Sequence, residues 1–216
     1  MGREFIPIFS EWAKQYDETV KGKDEEYREV FLHYPELLAN IAEKAGDSVI
    51  EFGSGTGNLT LELIRRKKTV FAIEPSAAMR QVAEANPELS QVTFIDGDME
   101  QFPQINFPID TIVSSYVFHH LNETEKQRVI KRYKALLSEG GKVIIGDTMF
   151  LSPEHKESIL RQAIKANHLR LAADLQREYY PLIPDIETYF RANGFTSRFK
   201  QINAFVWLVE ARGEKE

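Results

Sequence analysis

The run Val49-Ile50-Glu51-Phe52-Gly53-Ser54-Gly55-Thr56-Gly57-Asn58 sets an apolar strand, ending in a carboxylate, directly before three glycines at every second position. Glycine adopts positive φ without steric cost and carries no Cβ, so the chain can turn sharply here and a flat ligand can lie against it. The pattern predicts a nucleoside-bearing ligand at the end of the first strand. The competing reading is a tight strand-to-helix turn that binds nothing.

The spacing narrows the ligand. A dinucleotide loop reads G-x-G-x-x-G and would require glycine where Asn58 stands; a phosphate loop needs Gly-Lys-Ser/Thr, and no lysine follows these glycines. Glu51, two residues before the first glycine, would repel a pyrophosphate and attract a cationic or amino-bearing group. S-adenosylmethionine carries both a sulfonium and an ammonium.

Two further strands end in acids. Thr69-Val70-Phe71-Ala72-Ile73 runs into Glu74, about 20 residues past the glycines, where a single carboxylate can grip a ribose diol. Val92-Thr93-Phe94-Ile95 runs into Asp96-Gly97-Asp98-Met99. Asp98 is expected to accept from an adenine amino group, and Met99 to lie on the ring face. An Asp-Gly turn is the alternative for that pair.

The elements alternate as a parallel sheet requires. Helical spacing follows the first strand (Leu59, Leu63, Ile64) and the second (Met79, Val82). Asp110 to Ser115 forms a fourth strand, and Asn122 with Glu125 caps a helix carrying Val129, Ile130, Tyr133 and Leu137. Gly140-Gly141 is expected to end that helix before a fifth strand, Lys142 to Asp147. One inserted helix is predicted from Pro153 to Asp174, then another from Pro184 to Asn193. Phe195 to Ile202 and Ala204 to Ala211 lie too close together for a crossover helix, so they must pair antiparallel. The prediction is an α/β, Rossmann-like three-layer sandwich with a seven-stranded, mostly parallel sheet. It forms one domain: an N-terminal helical flap (1–45), a cofactor-binding core (46–150), an inserted lid (151–182), and a terminal helix with the antiparallel hairpin (183–216).

Composition removes several functions. A chain of 216 residues without cysteine has no disulfide, thiolate metal site or thiol nucleophile, which suits the cytoplasm. A net charge of -6 argues against a nucleic-acid backbone as partner. The four-residue basic run Arg65-Arg66-Lys67-Lys68 reads as the solvated end of a helix. No apolar segment follows the first residues, so neither a signal peptide nor a membrane span is expected.

The glycine loop, Glu74 and the Asp98-Met99 pair together resemble the cofactor positions of class I S-adenosylmethionine-dependent methyltransferases, over nearly the full chain. Gly2-Arg3-Glu4-Phe5, Trp12-Ala13, Tyr16-Asp17, Phe118-His119-His120-Leu121 and Glu178-Tyr179-Tyr180 are more closely similar to the YrrT group of bacterial methyltransferases. The resemblance implies that Gly53 meets the methionine part through its backbone, with Gly55, Gly57 and Ser115 also at the cofactor; that Glu74 holds the ribose and Asp98 the adenine; and that Glu51 anchors the loop or the ammonium. Tyr16 would reach the methionine carboxylate from the flap, or simply pack a peripheral helix.

His119 and His120 follow the fourth strand and are the base candidates, needed only if the acceptor starts protonated. Their alternative role is to cap the next helix and line the pocket. Asp147, Tyr179 and Tyr180 are expected at the acceptor, and Arg161, Arg170, Arg177 and His168 would suit a polar or carboxylate-bearing molecule. The Asn-Pro-Pro-aromatic tetrapeptide of amide and base-amine methyltransferases is replaced here by Ser114-Ser115-Tyr116-Val117, and no pattern demands a metal. A small-molecule acceptor remains, with S-adenosylhomocysteine as by-product. A non-catalytic S-adenosylmethionine or S-adenosylhomocysteine binder and a NAD-dependent oxidoreductase are the alternatives.

Overall fold

A computed structural model describes residues 12, 13 and 15–214, so Gly2 to Phe5 lie outside the described residues. Seven strands form one sheet: β1 (Ser48–Phe52), β2 (Thr69–Ile73), β3 (Phe94–Ile95), β4 (Ile109–Ser115), β5 (Leu137–Thr148), β6 (Phe195–Gln201) and β7 (Val206–Gly213). Their order is β3-β2-β1-β4-β5-β7-β6. The first five are mutually parallel, and β7 runs antiparallel between β5 and β6. The order reverses between β1 and β4, and the crevice outside the strand ends at such a point is where open α/β sheets bind ligands.

Helices cover both faces, which is why β1 is buried almost throughout. Alternate residues serve alternate layers. Val49, Val113, Ile144 and Leu208 pack with α2 (Tyr34–Lys44) and α3 (Asn58–Arg65). Ile50, Ile112, Val143, Ile145 and Val209 pack with α5 (Glu123–Leu136) and α8 (Ile183–Ala192). α4 (Ala77–Glu84) follows β2. Of the segment expected to be a flap, α1 (Tyr16–Val20) lies at the glycine loop, whereas α2 is a layer helix. A Cβ at Gly146 of β5 would stand 2.9 Å from Leu37 and 3.0 Å from Ile41 of α2, so the glycine lets helix and strand approach closely.

Three local expectations are corrected. Gly140-Gly141 does not stop the helix; it lies inside β5, where β4 advances from Ile109 to Thr111 while β5 advances from Leu137 to Lys142. Gly140 takes φ +70°, so the glycines accommodate a bulge. β3 is shorter than expected because the Val92 N–H donates to the Leu89 carbonyl in a turn instead of a ladder. The inserted helix is two helices, α6 (Pro153–Lys165) and α7 (Leu169–Arg177). Asn167 takes φ +60°, and the His168 and Asn167 N–H groups return to the Ala163 and Ile164 carbonyls, a Schellman closure that asparagine tolerates.

Candidate functional site: two cavities with a shared wall

The glycine loop is shaped by approach from three sides. Gly53 takes φ +68°, donates its N–H to the Ile73 carbonyl at 2.7 Å, and would place a Cβ 2.4 Å from Val117. Gly55 takes φ +56°, and nothing lies within 4 Å of the position its Cβ would occupy. That open space faces a cavity of about 380 Å³ lined by Tyr16, Gly53, Gly55, Glu74, Met79, Ser115, Tyr116, Val117 and His120. Five of the nine residues expected at the cofactor thus converge, and the backbone cradle at Gly55 fits a flat nucleoside ligand.

Glu74 braces this cradle. Its two oxygens accept the Gly55 N–H at 2.9 Å and the Ser76 N–H at 2.8 Å, spanning the loop and the start of α4. Burial raises its pKa, while those two donors oppose the shift. Asp17 fastens α1 to the same loop by accepting from Thr56 Oγ1 at 2.7 Å and Asn58 Nδ2 at 2.9 Å.

The other four cofactor candidates stand off the cavity wall. Gly57 is the N-cap of α3. Glu51 is 1 % exposed and accepts from Thr60 Oγ1 at 2.6 Å; burial pushes its pKa up to about 8. It is therefore neutral near pH 7 and fastens α3 beneath the loop; as placed, it offers an ammonium no charge. Asp98 is buried and accepts the Glu100 and Gln101 N–H groups at 2.8 Å each, shaping the turn after β3. Met99 has no exposed surface and packs in the layer against α5, so its side chain offers a ring no face. Met79, which the sequence did not single out, lines the cavity instead.

A second, larger cavity of about 740 Å³, mouth included, adjoins the first. Its walls are mostly aromatic and apolar, with Trp12, Tyr27, Phe31, Leu171, Leu175, Tyr180 and Phe205 among them. Tyr16, Tyr116 and His120 line both cavities. Tyr116 sits at φ +55°, unusual for a non-glycine residue, with its hydroxyl donating to the Val30 carbonyl at 3.1 Å. Backbone held in that region costs about 1–3 kcal/mol and persists only where its surroundings over-determine it. Burial keeps the Tyr16 hydroxyl protonated far above its ordinary range.

The polar end of the larger cavity holds the histidines. Asp147, with no exposed surface, lies 2.5 Å from His119 Nδ1 and also accepts the His119 and Thr148 N–H groups. On the other side of the ring, His119 Nε2 is 3.3 Å from Glu178 Oε2. Burial works against the imidazolium, but the two carboxylates outweigh it and raise the His119 pKa to about 10. His120, 4.0 Å away between ring centroids, is driven the other way by burial and by its charged neighbour, so it is neutral. The pair is thus divided: two carboxylates favour the protonated form of His119, while burial and its charged neighbour favour the neutral form of His120.

Tyr180 stacks on His119 and donates its hydroxyl to Glu178 Oε2 at 2.6 Å. Tyr179 is 42 % exposed and contributes backbone rather than a side chain: its N–H reaches the His119 carbonyl, and its carbonyl accepts from Lys126. Asp147 does not line the cavity and acts on it through His119 and Thr148. The lid arginines are matched by acids, Arg161 by Glu157, Arg170 by Asp24 and Glu26, and Arg177 by Asp174 and Glu178. Arg177 lines the larger cavity, whereas Arg161 and Arg170 do not. His119, His120 and Glu178 bring one ligand atom each within 4.8 Å of one another.

Sheet order, the glycine cradle and Glu74 at its edge define a Rossmann-like α/β fold with a cavity at its topological switch point. Residues 49–141 match the methyltransferase-domain family. The chain is 51 % identical to an uncharacterized methyltransferase from Anoxybacillus flavithermus and 47 % identical to one from Oceanobacillus iheyensis, in each case across 98 % of this chain and 99 % of the relative. Among solved structures, magnesium protoporphyrin IX methyltransferase from Synechocystis PCC 6803 with bound SAH superposes with a TM-score of 0.66 at 16 % identity, covering 87 % of this chain and 86 % of that one. The chain belongs to the class I S-adenosylmethionine-dependent methyltransferases, and the oxidoreductase alternative falls away.

Proposed function

We propose that the protein methylates a small, ring-bearing, largely apolar molecule held in the aromatic cavity. The observation that carries this reading is the wall of Tyr16, Tyr116 and His120, common to the cofactor cradle and the aromatic chamber. Small-molecule sites are typically lined by aromatic and apolar side chains with a few convergent polar groups, as this cavity is. The net charge of -6 speaks against a nucleic-acid backbone as acceptor.

Gly53, Gly55 and Glu74 would hold the cofactor, with Ser115 and Met79 beside it and Glu74 aimed at the ribose hydroxyls. S-adenosylmethionine supplies, when bound, a methyl group activated by its sulfonium, with a neutral thioether as leaving group. Little bond chemistry is left for the protein, so its work is to align the acceptor in line with that methyl and to exclude water. Tyr16 and Tyr116 form the aperture, and the α6–α7 lid closes the chamber. A proton lost from a hydroxyl or amine acceptor passes to the His119, His120 and Glu178 cluster, in which neutral His120 is the member next to the aperture. We place the reaction in the cytoplasm, where a cysteine-free chain is at no disadvantage; no helix among the described residues is long and apolar enough to cross a membrane.

Incubation with methyl-labelled S-adenosylmethionine and a cellular metabolite extract tests the reading. The expected result is label in one low-molecular-weight product. S-adenosylhomocysteine binding with no label transferred would favour the non-catalytic binder, and label found only in macromolecules would overturn the small-molecule assignment.

A further inference from the structure

We infer that His119, His120 and Glu178 form a binding site for a divalent transition-metal ion at the polar end of the aromatic cavity. The inference rests on the proposed acceptor chamber and adds a chemical handle to it. One ring nitrogen from each histidine and one carboxylate oxygen lie within 4.8 Å of one another, and the three side chains are largely buried. The 3.3 Å between His119 Nε2 and Glu178 Oε2 equals the edge of a tetrahedron whose metal–ligand bonds are about 2.0–2.1 Å.

The surroundings resemble those of a ligand set. Metal-binding histidines almost always give their second ring nitrogen to a carboxylate or carbonyl, which fixes the tautomer and aims the other nitrogen. Asp147 holds His119 Nδ1 in that manner at 2.5 Å, leaving Nε2 directed at Glu178. Glu178 is itself held, by the Tyr180 hydroxyl at 2.6 Å on Oε2 and by Arg177 at 3.5 Å on Oε1. Two carboxylates beside His119 provide the negative charge that a dication requires. Two imidazoles with one carboxylate select Zn²⁺, Co²⁺, Fe²⁺ or Mn²⁺ over Mg²⁺ and Ca²⁺, which prefer all-oxygen shells.

Three protein ligands leave a coordination position open, and all three residues lie on the wall of the acceptor chamber. An oxygen or nitrogen of the acceptor would fill it. A cation bound to that atom would favour its deprotonated form, the one that attacks a methyl group, and fix its position beside the Tyr16–Tyr116 aperture; with the three side chains engaged as ligands, the acceptor's proton would leave to solvent as the acceptor binds, and the cluster takes that proton only in the metal-free protein. The acceptor class is accordingly a molecule with an apolar ring and a hydroxyl, enolic or amino donor at one end.

Co²⁺ is the probe, because tetrahedral Co²⁺ gives visible absorption bands that hydrated Co²⁺ lacks. Chelator-treated full-length protein is titrated with Co²⁺, followed by absorption and by calorimetry, and Zn²⁺ is then used to displace it. The account expects one Co²⁺ per chain in a tetrahedral environment. Binding should be lost in Glu178→Gln and in His119→Gln, weakened 10–100-fold in Asp147→Asn as for other carboxylates behind a ligand histidine, and unaltered in His33→Ala at an exposed position. Circular dichroism establishes that each variant is folded. Absence of a tetrahedral Co²⁺ spectrum in wild-type protein, or a spectrum that survives Glu178→Gln, overturns the metal site. S-adenosylhomocysteine binding and label transfer by the metal-free protein are measured in parallel; if these persist while no tetrahedral Co²⁺ spectrum forms, the metal site falls and the methyltransferase reading stands.

Discussion

Asp147 and His119 form a buried ion pair at the end of β5, with Asp147 Oδ1 2.5 Å from His119 Nδ1 and its other oxygen accepting the His119 backbone N–H at 3.1 Å. One carboxylate therefore fixes both the ring and the backbone of the residue that begins the polar end of the acceptor chamber. Removing one member of such a pair leaves a buried charge without its counter-charge and costs about 3–5 kcal/mol. Asp147→Asn should lower stability to urea by an amount at the lower end of that range, since asparagine still accepts a hydrogen bond. An unchanged unfolding midpoint would mean that the pair contributes nothing.

Glu74 holds the Gly55 N–H at 2.9 Å and borders the open side of the glycine loop. Glu74→Ala should weaken S-adenosylhomocysteine binding by on the order of 1–3 kcal/mol, through the lost ribose partner and the released loop. Glu74→Gln, which keeps an acceptor, should lose less. Titration calorimetry measures both, and wild-type affinity in Glu74→Ala would remove Glu74 from the cofactor site.

Glu51 gives the fold a pH dependence of defined sign. Its folded pKa is about 8 against an ordinary 4.5, so between those values the native state keeps a proton that the unfolded chain has released. The stability contributed by neutral Glu51 is fully present below pH 4.5 and is lost as pH rises through 8, with a slope of at most about 1.4 kcal/mol per pH unit. Glu51→Gln should flatten this part of the profile, stabilise the protein most at pH 8, and leave S-adenosylhomocysteine affinity at pH 7 near wild type. Loss of binding in that variant would restore Glu51 as a charged anchor for the ammonium.

Lys126 on α5 is fully buried, and its Nζ donates to the Leu121 and Tyr179 carbonyls, each at 2.5 Å, and to Glu123 at 3.0 Å. It ties the segment carrying Glu178 and Tyr180 to the histidine turn. Lys126→Met should release that segment, seen as faster hydrogen exchange at the Tyr179 amide and a higher KM for the acceptor than for the cofactor. Equal protection in variant and wild type would show that the segment is held elsewhere.

What the sequence disclosed follows from the range of the interactions. β2 was read to its exact ends, and Glu74 was placed at the cavity, because both depend on local strand chemistry and on the fixed path from β1 to β2. The two-helix lid was missed because its break rests on one asparagine at positive φ, an option that a helical pattern does not reveal. In the sequence Glu178 is one member of the Glu178-Tyr179-Tyr180 motif, with nothing local that pairs it with a histidine. Its meeting with His119 requires the lid to fold back over β5, as does the bond from Tyr27 to Asp174 across 147 residues. Met79 could have been found, since it sits one turn into the helix that follows the ribose acid.

The account turns on the shared wall, and the structure of the protein crystallised with S-adenosylhomocysteine tests it most directly. The prediction is that the ribose meets Glu74, the backbone at Gly55 lies against the ligand, and the sulfur points between Tyr16, Tyr116 and His120 into the aromatic chamber. A sulfur directed away from that aperture, or a ligand bound outside the Gly53–Gly55 cradle, would contradict it.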